Sequence, residues 1–128
     1  MPRAPGNVVL VTTHDLIRRV VRGEEAPQAL VKFGLRIDSV DGSITVTPPP
    51  GMVIPPCPLS DLARGLLTNW AVGTELRTWA TTVLMFDEIQ FIEANSQQEL
   101  RLLDALWAAM IEEPIDEDAL DLARQLVR

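Results

Sequence analysis

Residues 48–58 read PPPGMVIPPCP and hold six of the ten prolines in the chain. A proline lacks the N–H that a helix interior or a central strand must donate, so this stretch can be neither. It is a connection. Gly51 and the apolar Met52, Val53 and Ile54 within it predict that it lies against the body of the protein in polyproline-like geometry. The segment divides the chain into a section before it and a section after it, and 128 residues allow one compact domain but not two full catalytic ones. With 47% apolar and 23% charged residues the chain has the balance of a folded globular domain.

Before the connection, Thr12 or Thr13 can cap a helix whose Leu16, Ile17, Val20 and Val21 share one face, leaving Arg18, Arg19 and Arg22 toward solvent. Pro27 suits a helix start and Gly34 a left-handed helix stop, with Leu35 placed to touch Leu30 as in a Schellman ending. Two alternating β-forming runs, Leu35–Val40 and Ser43–Thr47, flank Asp41-Gly42, the strongest short-range signal of a hairpin. An isolated hairpin is marginal in water, so this one must pack on helices, pair with Val8–Val11, or join a partner's sheet.

After the connection the pattern is helical. Ser60 can cap a helix to about Trp70, with Leu62, Leu66 and Leu67 inward. Thr74 can cap a second, where Leu76, Trp79, Ala80, Val83 and Leu84 recur at helical spacing. Residues 86–92, FDEIQFI, fit neither period cleanly and read as irregular. Ser96-Gln97-Gln98-Glu99 has the form of a capping box and opens a third helix, with Leu100, Leu103, Leu106, Trp107, Met110 and Ile111 inward until Pro114. Asp116 caps a fourth, with Ile115 and Leu120 spaced as a hydrophobic staple and Arg124 and Arg128 in the last turn. Shifted by 46 residues, Asp15-Leu16-x-Arg18 overlays Asp61-Leu62-x-Arg64, and Leu30 and Phe33 overlay Leu76 and Trp79, a faint internal echo.

Several chemistries are excluded on residue type. One cysteine, Cys57, provides no intrachain disulfide, zinc cage or CxxC pair. His14 is the sole histidine, and neighbours on a helix point about 100° apart, so Asp15 is poorly placed to orient it as a base. It reads as a surface or capping residue. Phosphate-binding GxxxxGK[ST] and nucleophile-elbow GxSxG patterns are missing, and Gly23, Gly34, Gly65 and Gly73 read as punctuation or close packing. The acids between Glu112 and Asp121 lack the glycine and the alternate spacing of a calcium loop. No cofactor or metal is expected. No apolar run is long enough for a membrane span, and the start of the chain lacks the apolar centre of a signal peptide, so a cytoplasmic setting is expected.

Charge carries the functional signal. Residues 1–58 have a net charge of +1, whereas residues 59–128 carry thirteen acids and five arginines, a net of −8. Nucleic acid would need the opposite sign, so none is expected as a ligand. The acids concentrate after residue 86, and Asp87, Glu88, Glu112, Glu113, Asp116, Glu117, Asp118 and Asp121 are the candidate partner-binding residues. A solubilising surface is the bland account of such a concentration; a lure for a basic protein is the functional one. Of the three tryptophans, Trp79 and Trp107 read as core. Core packing is the simpler account of Trp70 too, but its place near a helix end also makes it the candidate interface anchor.

The run Asp61-Leu62-x-x-Gly65, Leu76-Arg77-x-Trp79-Ala80, Asp87-Glu88-Ile89 and Leu102-Leu103-Asp104-x-Leu106-Trp107 resembles the small acidic helical immunity proteins of the colicin D type. The resemblance spans residues 59–128. It implies a compact helix bundle whose acidic face plugs the basic active site of a ribonuclease toxin; the hairpin and the proline connection depart from a simple bundle.

The expectation is one α+β domain over residues 1–128, mostly α. A C-terminal bundle of about four helices carries an N-terminal helix pair and hairpin packed on it. Its sub-sections are 1–47, 48–58 and 59–128. The expected function is non-enzymatic binding of a basic protein, of the immunity or antitoxin kind. A self-associating structural subunit, a homodimer for instance, is the alternative, and a small enzyme built around His14 or converging acids is the second.

Overall fold

A computed structural model describes residues 14–52, 54–72, 76–86, 89–92 and 95–127. The fold is α+β and mostly helical, with the element order α1 (residues 14–21), a 3-10 helix η1 (Pro27–Phe33), β1 (Arg36–Val40), β2 (Ser43–Thr47), β3 (Cys57–Pro58), α2 (Leu59–Val72), α3 (Leu76–Met85), β4 (Phe91–Ile92), α4 (Ser96–Met110) and α5 (Glu117–Leu126).

Leu16, Ile17, Val20 and Val21 of α1 are all buried, as their spacing predicts. The helix ends in a Schellman motif at Gly23, whose φ is +80°: Gly23 N–H donates to the Val20 carbonyl and Glu24 N–H to that of Arg19. Gly34, at φ +104°, repeats the motif after η1, with Leu35 N–H donating to the Leu30 carbonyl and both leucines buried. The second helix is thus placed as expected, but it winds as 3-10. Ala26 offers no side-chain cap to its first turn. The expected caps Thr12, Thr13 and Thr74, and Val8–Val11, lie outside the described residues.

The hairpin pairs Arg36 with Thr47 through Val40 with Ser43. Asp41 and Gly42 both have positive φ, 52° and 81°, the geometry of the turn that matches strand twist. Ile37, Ile44 and Val46 point inward, and β2 lies against α3, so the hairpin is stabilised by helices of its own chain. The proline connection also packs down, with Pro55 and Cys57 buried and Met52 and Ile54 half-buried on the core. It ends in a two-residue parallel pairing of β3 with β4, so residues 91–92, expected to be irregular, are strand. Cys57 N–H donates to the Gln90 carbonyl, and the pairing stops where the chain turns into α2 at Leu59.

One buried cluster runs through every helix, from Ile17 and Val20 through Leu30, Leu62, Leu66, Trp79, Val83, Phe86, Leu102 and Leu106 to Leu120. At its centre α1 and α2 meet over Gly65, where a side chain would collide with the Val21 carbonyl and the Trp79 ring. The Trp79 indole N–H donates to the Val20 carbonyl at 2.8 Å, satisfying a carbonyl of the last turn of α1 from a third helix. α2 packs chiefly on α5, and α3 on α4.

Two expectations about α4 are corrected. Its cap is Asn95, in extended geometry and accepting from the N–H groups of Gln97 and Gln98 at 2.9 and 3.4 Å, while Ser96 is already helical. Its inward face is Leu102, Ala105, Leu106 and Ala109. Of the six residues expected inward, only Leu106 is fully buried; Leu103 and Met110 are half-buried, and Leu100, Trp107 and Ile111 are 61%, 51% and 55% exposed. The helix is apolar on two sides, and the buried one joins Leu102 and Leu106 with the small Ala105 and Ala109. α5 follows its prediction: Asp116 accepts from Asp118 N–H at 3.1 Å, and Leu120 is buried with Ile115 packed against the same core. α2 begins one residue ahead of Ser60.

Candidate protein-docking face

α4 and α5 are joined by a tight turn and leave a groove between them. Gln97, Arg101, Asp104 and Ala108, at successive turns of α4, form one wall. Asp116, Asp118, Asp121, Leu122 and Gln125 form the other. Two adjoining hollows of about 450 and 240 Å³ share Arg101 and Asp118. Asp104, Asp116 and Asp118 are exposed and have no ion-pair partner among the described residues.

The candidate acids divide accordingly. Asp116, Asp118 and Asp121 come together on the groove; Glu113 and Glu117 are exposed beside it without lining it. Glu112 is drawn to α3, where Arg77 meets it at 3.3 Å while its Nε donates to the Met110 carbonyl. Asp87 and Glu88 lie outside the described residues. Trp70 is 43% exposed, so core packing does not describe it. The Arg124 guanidinium sits 5.9 Å from the centre of its ring and bonds Asp121 at 2.6 Å, which ties Trp70 to the edge of the groove. Sequence reasoning missed Arg101 and Asp104 as groove residues, although they stand three residues apart and share a side of α4 with Gln97.

Glu112 also holds a backbone position that favours glycine. Its φ is +61°, and the N–H groups of Glu112 and Glu113 donate to the carbonyls of Ala109 and Ala108, so a glutamate stands where a Schellman ending usually has glycine.

Among the described residues no cation of the first section pairs with an acid of this face. Arg19 pairs with Asp15, Arg22 with Glu24 and Arg36 with Asp38, each within a few residues of chain. Asp15 thus serves Arg19 and not His14. His14, expected as a surface or capping residue, is half-buried, with its Nε2 enclosed and without a partner among the described residues.

Cys57 is fully buried and its thiol is pushed up to about 11 by burial, then by the Asp61 carboxylate, so it stays protonated and unreactive at neutral pH. Burial also raises Asp61, against the opposite pull of Arg22, Arg64 and Arg18. Among the described residues no three His, Cys, Asp or Glu side chains gather as metal ligands would, and no helix is long and apolar enough to cross a membrane. Comparison of the chain with protein-family models, curated proteins and solved structures gives no match.

Proposed function

We propose that the protein is a non-enzymatic binding module whose α4–α5 face docks on a basic protein, as an inhibitor of the immunity or antitoxin kind. The observation that carries this reading is the gathering of Asp104, Asp116 and Asp118, with Asp121 held by Arg124, around Arg101 on one groove, while Arg19, Arg22 and Arg36 pair with acids of the first section. Such a face focuses negative potential, speeds encounter with a positive surface and disfavours acidic competitors. The likeness of residues 59–128 to colicin-D-type immunity proteins supports a nuclease as the basic partner.

The test is capture of partners from the native host, followed by affinity measurements at low and high salt. The reading expects a basic partner, an affinity that falls as salt rises, and a weaker, less salt-dependent complex for the combined variant Asp104→Asn, Asp116→Asn, Asp118→Asn. Recovery of only neutral or acidic partners, held equally well in high salt, refutes it.

A further inference from the structure

α4 has two apolar sides. The inner one is complete, with Leu102, Ala105, Leu106 and Ala109 buried. On the far side Leu100, Trp107 and Ile111 are each more than half exposed. Their spacings of seven and four residues place them within about 40° of one another around the helix, along a line of roughly 17 Å or three turns. A helix on the surface of a folded domain ordinarily carries one apolar stripe, facing its own core. This one carries a second, centred on a tryptophan, the residue type most enriched among interface anchors.

The surroundings of the row specify its occupant. Asp104 lies one turn from Trp107 on the side toward the groove, with Asp116 and Asp118 beyond it, and Glu113 stands past Ile111 beside Glu112, which Arg77 already holds. Whatever covers Leu100, Trp107 and Ile111 also brings its own rim against these carboxylates. A second copy would bring carboxylates to carboxylates, and two chains of net charge −7 repel. A helix with apolar residues at i, i+3 or i+4 and i+7, edged by lysine or arginine, satisfies both the row and its rim.

We infer that the Leu100–Trp107–Ile111 row seats an amphipathic, basic helix of the partner, with Trp107 as the central anchor and the groove carboxylates holding the cationic edge. The inference rests on the acidic-face reading and adds the partner's secondary structure and the residue on which affinity turns.

The probes are three labelled peptides: a leucine–lysine helix of roughly 18 residues, about five turns, with leucines on one face; a scrambled isomer lacking that face; and oligolysine of equal charge. Binding to the full chain is followed by fluorescence anisotropy at low and high salt, with sedimentation of the free protein alongside. The expected result is that the amphipathic helix binds at least about tenfold tighter than either control, and that Trp107→Ala removes about tenfold of its affinity. Leu100→Ser with Ile111→Ser should act likewise, which guards against a tryptophan variant that is merely misfolded, and circular dichroism should show all variants folded.

Equal binding of all three peptides, unchanged by Trp107→Ala but lost in the triple asparagine variant, overturns the inference and leaves the acidic-face reading standing. Binding indifferent to salt and to the asparagine variant, or no binding by any peptide, overturns both. A native dimer that Trp107→Glu converts to monomers would assign the row to a second copy and also overturn the inference.

Discussion

Replacing Gly65 with alanine should destabilise the protein although it replaces a poor helix former with the best one. Inside an exposed helix the change is worth about 1 kcal/mol in favour of alanine. At this position the new Cβ would strike the backbone carbonyl of Val21 and come within 2.5 Å of Cζ2 and 3.0 Å of Cε2 of Trp79. Neither obstacle is the free end of a flexible side chain: one is main chain, the other a fully buried ring. Relief requires α1 to move off α2, and overpacking of this sort costs roughly 1–3 kcal/mol. The same movement stretches the Trp79 bond to the Val20 carbonyl, worth about 1 kcal/mol more. The balance is a net loss of about 2 kcal/mol, or about 8 °C in Tm for a domain of this size. Thermal unfolding followed by circular dichroism measures it directly. In a Trp79→Phe background the six-membered ring of the indole is gone, so the same substitution should cost less, with a coupling of about 0.5–1 kcal/mol. A Gly65→Ala protein that melts at or above the parent temperature would refute the packing of α1 on α2 described above.

Three further outcomes follow from single residues. Asn95→Ala removes the acceptor for the first N–H groups of α4 and should cost about 1 kcal/mol in denaturant unfolding, whereas Ser96→Ala should cost little; the reverse order would restore the serine as cap. Glu112→Gly should raise stability by about 0.5–1 kcal/mol, because glycine adopts positive φ freely and the exposed pair with Arg77 contributes little; a loss would mean that the ion pair dominates. Asp61→Asn should raise Tm at neutral pH. Because the folded carboxyl holds its proton to higher pH than the unfolded one, stability is fullest below about pH 4 and falls as pH rises through the raised folded value. The gain from asparagine should therefore vanish near pH 3, and a variant less stable at neutral pH would show that the arginines outweigh burial.

Much of the architecture is legible in local sequence because the relevant physics is local. Asp41-Gly42 needs positive φ at both residues and so marks its hairpin; Gly34 marks a helix stop; Asp116 marks a helix start; six prolines in eleven positions mark a connection. Leu16, Ile17, Val20 and Val21 fall on one face by spacing alone. The candidate site was legible in part: the charge split is visible in composition, and Asp116, Asp118 and Asp121 lie one turn or less apart on one helix start. Arg101 and Asp104 become their neighbours only when α4 folds back against α5.

The sequence determined the element types, most of their ends, and the sign of charge on the second section, since caps, turns and net charge depend on residues close together in the chain. Tertiary structure alone decided which side of α4 is buried. Helical periodicity offered apolar residues on both sides of α4, and Leu100, Trp107 and Ile111 fell on the side left exposed. The buried side combines Leu102 and Leu106 with the small Ala105 and Ala109, and which side is covered depends on the shape of the neighbouring helices, which no local pattern encodes.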